Sequence, residues 1–201
     1  MPRSPKIGQF IRDARPGDVV GFSSCSPTGS VIRAFTCGCF TGLTHVGIVT
    51  YWRGCRHYVL LESTSQAIRP CLVAREMVSG VQVQELRHRV LEYPGHVYHY
   101  PLAEPLAWGA ALMLYQWGET QLGHPYDWDG AARARHTLLA RICRRVHGED
   151  RHDAFCSELV AGAHRTLGLL PHQTNAEDFS PRSLVRMERR LGVLEKRRIV
   201  K

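Results

Sequence analysis

Two apolar segments of the chain, residues 45–52 and 55–63, are rich in Val, Ile, Leu, Tyr and Trp, and Arg53-Gly54 between them has the composition of a turn. This pattern predicts a β-hairpin. Shorter apolar segments around 81–83 and 96–100 predict two further strands. The first third of the chain has a strand-like pattern as a whole.

The apolar period changes to helical spacing in the second half of the chain. Residues 105–123 predict a helix that Pro105 opens and Gly123 ends. A second helix is predicted after Asp153, with Gly168 as its stop signal and with apolar positions at Phe155, Leu159, Ala163 and Leu167. Strands followed by helices indicate an α+β fold. Since no repeat or linker divides the chain, we expect one domain over residues 1–201.

The predicted hairpin brings His45 and Glu62 close to each other. If Arg53-Gly54 forms a two-residue loop, the two residues lie directly opposite each other. A four-residue loop over residues 53–56 moves them one diagonal step apart and keeps them on the same face. Either register brings a carboxylate within reach of an imidazole. The alternative is a strand histidine and a solvated glutamate without a joint role.

Cys156 lies near the start of the second predicted helix. With Asp153 as the N-cap, Cys156 is the third helical residue, in the first turn. Unpaired backbone N–H groups and the helix dipole there favour a thiolate over a thiol. Cys156 also falls between the apolar positions of the helix, whereas an inert buried cysteine usually occupies one of them. We therefore interpret Cys156 as a candidate nucleophile.

Together these residues supply the three roles of a cysteine hydrolase. Cys156 attacks an amide or ester carbonyl, His45 takes and returns the proton, and Glu62 holds the imidazole in one tautomer. The backbone N–H of Cys156 is a candidate donor to the oxyanion.

Four motifs of the chain resemble those of the NlpC-like cell-wall endopeptidases of the papain-like superfamily. They are Pro16-Gly17-Asp18, His45-Val46-Gly47-Ile48, Leu122-Gly123-His124-Pro125-Tyr126-Asp127-Trp128 and Phe155-Cys156-Ser157. Their order is rotated relative to the unpermuted enzymes, as in the circularly permuted YiiX-like branch and its relatives, which include the lecithin retinol acyltransferase group. Glu158, where unpermuted enzymes carry Gly, also occurs in the permuted branch. The resemblance spans about residues 14–185.

The resemblance implies a papain-like fold, in which an antiparallel sheet packs against a helical half. It implies a catalytic set of Cys156, His45 and Glu62, with Tyr126 lining the substrate cleft and with no metal or cofactor. The leading reaction is cleavage of an amide bond in peptidoglycan stem peptides, by an exported antibacterial effector or in phage lysis or cell-wall turnover. A basic insert at about residues 133–150 departs from the family pattern and affects the shape of the cleft.

Two other functions remain open at the level of sequence. The permuted relatives include enzymes that act on acyl chains, so an acyltransferase, thioesterase or lipid amidase is the main alternative. An apolar cleft would favour that alternative, and an open polar groove would favour a peptide substrate. A non-catalytic binding module of the same fold is the third hypothesis.

Composition limits these hypotheses further. The 201 residues carry a formal net charge of +8, which suits an anionic polymer or a phospholipid headgroup and fits solvated helix faces equally well, so the charge alone indicates no function. No nucleic-acid motif is present. No apolar run of about 18 residues predicts a transmembrane span, and the first residues lack a signal peptide. We expect synthesis in the cytoplasm, with export by a signal-independent route left open. Seven scattered cysteines predict no disulfide framework, and the spacing of Cys25, Cys37 and Cys39 matches no zinc site.

Overall fold

The computed structural model describes residues 5–23, 42–64, 67–126, 153–176 and 179–201. The strands within these ranges are β1 (Val19–Ser23), β2 (His45–Thr50), β3 (Val59–Thr64), β4 (Gly80–Glu85), β5 (His96–Tyr100) and β6 (Arg198–Ile199). The helices are α1 (Pro5–Asp13), α2 (Leu86–Glu92), α3 (Trp108–Gln121), α4 (Asp153–Thr166) and α5 (Pro181–Arg190).

The six strands form one antiparallel sheet in the order β4-β3-β2-β1-β5-β6. The strand β2 is therefore an inner strand, flanked by β1 and β3. With helices packed on both faces of this sheet, the predicted α+β class is confirmed.

Alternation of side chains along each strand gives the sheet two different faces. Val46 and Ile48 of β2 belong to an apolar cluster with buried residues of α3, α4 and α5, and we call this side the α4 face. Val49 belongs to a second cluster with buried residues of α1 and α2, and we call that side the α2 face. His45 and Gly47 share the α2 face with Val49, because they precede it by four and two residues.

The predicted hairpin is confirmed, and its register distinguishes the two loop alternatives. Ile48 pairs with Leu61 and Thr50 with Val59, which corresponds to the diagonal arrangement of His45 and Glu62. The direct pairing was wrong. The turn at Arg53-Gly54 does form, with a positive φ of 83° at Gly54, but pairing begins only after residue 58.

Both predicted helices are present, with shifted ends. The first spans Trp108–Gln121, so Pro105 precedes it by one turn. The second already includes Asp153 as a helical residue, which makes Cys156 its fourth residue. Two helices, α1 and α2, were not predicted in the sequence analysis.

Several sequence candidates lie outside the described residues. These are the basic insert at 133–150 and the cysteines Cys25, Cys37, Cys39 and Cys143. In the part of the chain that is described, no helix has the length and apolar character to cross a membrane. The same residues contain no cluster of three or more His, Cys, Asp or Glu side chains suited to a metal ion.

Candidate active site

His45 and Glu62 are in direct contact on the α2 face. His45 Nε2 lies 2.7 Å from Glu62 Oε2, and the Glu62 side chain is almost completely buried. The ring of His45 also packs against Phe22, its cross-strand neighbour on β1, with ring centroids 5.5 Å apart. The predicted contact between the imidazole and a carboxylate is therefore confirmed, one diagonal step from direct pairing.

Arg89 completes this group from the short helix α2. Its Nε donates to the second carboxylate oxygen, Glu62 Oε1, at 2.7 Å. Its guanidinium lies over the ring of Phe22, 4.6 Å from the centroid, and over Tyr93 at 5.4 Å. Glu62 thus bridges an imidazole from β2 and a guanidinium from α2, with one oxygen for each.

The surroundings keep Glu62 ionised. Burial alone would raise the pKa of its carboxyl, but the charge of Arg89 and the hydrogen bonds from His45 and Arg89 outweigh burial and lower the pKa to about 2. A carboxylate that remains charged at neutral pH orients an imidazole and stabilises its protonated form.

Cys156 reaches the same strand from the opposite side. Helix α4 packs against β2 and β3, and Cys156 is a fully buried member of the apolar cluster on the α4 face. His45 and Glu62 lie on the other face. The three candidate residues therefore do not share one face of the sheet.

The position of His164 on α4 bears on where Cys156 lies along β2. His164 Nε2 lies 3.0 Å from Gly17 O, and Gly17 N donates to Val49 O at 2.9 Å, so His164 marks the far end of β2. From His164 back to Cys156 the helix rises about 12 Å. From Val49 back to His45 the strand spans about 13 Å. If α4 runs along β2 in the same direction as the strand, these lengths put Cys156 level with His45.

His45 is the first residue of β2, and it therefore lies at one end of that strand. Its Nε2 is directed to Glu62, which leaves the Nδ1 side of the ring for a thiol. The expected distance of about 3–4 Å between Cys156 Sγ and a ring nitrogen of His45 stays a prediction.

Both candidate residues are shielded from solvent. Cys156 has no exposed surface, and His45 is only 8% exposed. A substrate carbonyl must reach the sulfur for any acyl transfer. Catalysis at Cys156 therefore requires the residues that cover it to move when substrate binds.

Tyr126 lies at the same end of the sheet. The segment before it runs beside β4, where Pro125 bridges to Gly80 and Val81 N donates to His124 O at 3.0 Å. Gly80 in turn pairs with Thr64, two residues beyond Glu62 on β3. Tyr126 is buried, and its segment lies at the rim of the sheet near the His45 end. A role of Tyr126 in substrate binding stays a prediction.

Two other buried histidines belong to the scaffold. His99 Nε2 lies 2.7 Å from Asp18 Oδ2, while Asp18 Oδ1 accepts a hydrogen bond from Leu102 N. His164 Nδ1 lies 2.6 Å from Glu188 Oε1 and links α4 to α5. Asp18 thus fixes the turn before β1 against β5, and His164 fixes the helix that carries Cys156.

Arg89 was not predicted from the sequence. It lies 27 residues from Glu62, in a short helix. The sequence feature that could have identified it is the helical spacing of Leu86, Arg89 and Val90, which are all buried on one side of α2. That spacing indicates an inward-facing arginine but not its partner.

Comparison of the sequence with protein-family models gives no match, and comparison with the curated proteins gives none either.

Proposed function

We propose that this chain is a cysteine hydrolase that cleaves amide bonds, with Cys156 as nucleophile, His45 as general base and acid, and Glu62 as the orienting carboxylate. The main observation behind this proposal is the buried hydrogen bond between His45 and an ionised Glu62, at the end of the strand along which α4 packs. A buried charge is costly unless it is paired, and here the pairing selects one tautomer of the imidazole.

The reaction proceeds through an acyl-enzyme. Nδ1 of His45 accepts the proton of the Cys156 thiol, and the thiolate sulfur bonds to the amide carbonyl carbon. The tetrahedral oxyanion forms near the first turn of α4, where the positive end of the helix dipole stabilises it. When the C–N bond breaks, His45 returns the proton to the leaving amine. Water, deprotonated by His45, then hydrolyses the thioester and releases the acid.

We assign the substrate class from the resemblance to NlpC-like enzymes, for which peptidoglycan stem peptides are the leading expectation. The proposal places the scissile bond at the His45 end of β2 and assigns Tyr126 to the wall of the cleft. With these assignments the active site is that of a circularly permuted papain-like enzyme, as the sequence motifs imply.

The test uses purified peptidoglycan, synthetic stem peptides and a panel of phospholipids and acyl thioesters. Products are identified by mass spectrometry for the wild type, for Cys156→Ala and for Cys55→Ala. Cys55 is a partly exposed free thiol in the β2–β3 loop and serves as the matched control. We expect new amine termini from the peptide substrates with the wild type and Cys55→Ala, and none with Cys156→Ala.

Other outcomes separate the alternatives. Release or transfer of fatty acyl groups that depends on Cys156 would assign the chain to the acyl-chain enzymes. Peptide cleavage that persists in Cys156→Ala would show that the thiol is not the nucleophile. Binding of peptidoglycan without turnover would identify a binding module.

A further inference from the structure

Arg89 is the buried cation next to the candidate triad, and no catalytic role follows for it from the sequence motifs. We propose that Arg89 is a positioning residue that acts through Glu62: it holds the carboxylate in its charged form, so that His45 keeps its proton on Nε2 and presents Nδ1 to the thiol. The inference rests on the proposed function, because it concerns the catalytic base of that reaction.

The geometry fixes Arg89 in one orientation. Its side chain is 6% exposed, and Nε donates to Glu62 Oε1 at 2.7 Å. The flat guanidinium faces the rings of Phe22 and Tyr93, which restrict its rotation. Arg89 therefore directs its charge at one oxygen of Glu62, while the other oxygen faces His45 Nε2.

The protonation state of Glu62 decides the tautomer of His45. A charged Glu62 only accepts hydrogen bonds, so Nε2 must carry the proton and Nδ1 offers a lone pair. A neutral Glu62 would donate its own proton to Nε2. A neutral ring would then carry its proton on Nδ1, which prevents it from accepting the proton of Cys156.

Arg89 and His45 are the charged or titratable side chains that face Glu62 from the described elements around it. His45 comes from β2 and Arg89 from α2, while β4 contributes the neutral amide of Gln82 opposite Glu62. In a fully buried site a carboxyl group without a permanent cation retains its proton to higher pH. An arginine is suited to this task because its guanidinium stays protonated throughout the working pH range.

A purely structural role accounts poorly for Arg89. Its Nη1 is buried without a hydrogen-bond partner in the described part of the chain. Leaving a buried donor unpaired costs stability, and an apolar side chain of similar volume often replaces a buried ion pair without loss. The retained charge is explained by its effect on Glu62.

The first test compares Arg89→Gln, Arg89→Lys and the control Arg69→Gln. Arg69 also pairs with a glutamate, Glu92 at the end of α2, but that pair is exposed to solvent. For Arg89→Gln we expect kcat to fall about tenfold or more with little change in KM, and the acid limb of the pH profile to move to higher pH by about one unit. Arg89→Lys should restore part of both effects, and Arg69→Gln should resemble the wild type.

A double variant tests whether Arg89 acts through Glu62. In the Glu62→Gln background there is no carboxylate to hold, so adding Arg89→Gln should cause little further loss. If the two losses multiply, or if the pH profile of Arg89→Gln equals that of the wild type, the role proposed for Arg89 is wrong.

The second test does not depend on activity. In the Cys156→Ala background, ¹⁵N NMR of the His45 ring reports which nitrogen carries the proton once the imidazole is neutral. We expect the proton on Nε2 with Arg89 and a shift of population toward Nδ1 in Arg89→Gln. An unchanged tautomer overturns the role of Arg89 whatever the activity. A changed tautomer in a chain that hydrolyses none of the substrates overturns the proposed function alone.

Discussion

Glu62 contacts His45 although the two residues are not cross-strand partners. The paired positions of β2 and β3 run from Thr50–Val59 to Ile48–Leu61 and include neither residue, yet His45 Nε2 lies 2.7 Å from Glu62 Oε2. Gly47, between His45 and Ile48 on β2, packs closely against β3: a Cβ there would lie 3.0 Å from the side chain of Leu60.

Glu62→Gln tests the orienting carboxylate. The amide cannot stabilise an imidazolium by charge but still accepts a hydrogen bond, so we expect kcat to fall about tenfold to a thousandfold with KM nearly unchanged. Steady-state kinetics against the peptide substrate measure the loss. Glu92→Gln, at an exposed glutamate, is the control. Full activity in both Glu62→Gln and Glu62→Ala would mean that another group orients His45.

Glu62 also links stability to acid pH. Its folded-state pKa of about 2 lies below the ordinary 4.5, so its stabilising contribution is complete above pH 4.5 and is lost as the pH falls toward 2. The shift corresponds to about 3 kcal/mol in the free energy of unfolding. Urea unfolding at a series of acidic pH values measures it. Between these pH values, the stability of Glu62→Gln should fall less steeply than that of the wild type.

Gly47→Ala tests the close packing of β2 against β3 beside His45 and Glu62. A Cβ there would lie 3.0 Å from the side chain of Leu60 and 3.1 Å from the backbone oxygen of Leu61. We expect a loss of about 1–3 kcal/mol in unfolding free energy from overpacking, with a loss of activity greater than the stability change explains. Gly109→Ala, where a Cβ meets nothing within 4 Å, is the control. Equal behaviour of the two variants would contradict this account.

Alkylation by iodoacetamide distinguishes an activated thiol from a buried one. Burial and the nearby Glu85 raise the pKa of the Cys55 thiol, so its labelling should be slow at neutral pH and should accelerate as the pH rises. If Cys156 pairs with the imidazole of His45 as proposed, it should label faster than the other six cysteines at neutral pH and depend less on pH. Peptide mapping by mass spectrometry gives the individual rates. Labelling of Cys156 only in denaturant would identify an inert core cysteine.

Because the pKa of His164 is raised in the folded state, we expect the free energy of unfolding to fall at alkaline pH. Burial would lower its pKa, but the charge and hydrogen bond of Glu188, with the Gly17 carbonyl, raise the pKa above 6.5. The stabilisation is therefore complete below pH 6.5 and is lost as the pH rises through the folded-state pKa. NMR of the His164 ring should show titration above pH 6.5. Titration below that value would exclude a stabilising ion pair with Glu188.

Local patterns predicted most of the hairpin and of α4. The alternation from His45 onward and the spacing of Leu159 and Ala163 depend only on neighbouring residues, and both elements are present. The exact register of the hairpin could not be predicted from the apolar pattern, because it depends on how many residues after Gly54 remain unpaired. That number is decided by loop conformation rather than by the apolar pattern.

Contacts between residues distant in the sequence could not be predicted from local patterns. Ile7, Phe10, Ile11 and Ala14 have helical spacing, and that spacing is a sufficient signal for α1. No such spacing identifies which face of the sheet a helix covers. The pairing of Arg89 with Glu62 and the approach of α4 to β2 from the other side both depend on that choice.

The approach of the Tyr126 segment to β4 has a consequence for self-association. The strand β4 is an edge of the sheet. At its start, Val81 N donates to His124 O, and Val81 O accepts a hydrogen bond from Gly123 N. A Cβ on Gly80 would lie 2.1 Å from His124 O, and Gly80 has a φ of 135°, so only glycine lets the segment dock there. An uncovered edge strand recruits strands from other molecules. At this end of β4, the chain has already filled the position that a second copy would need to extend the sheet.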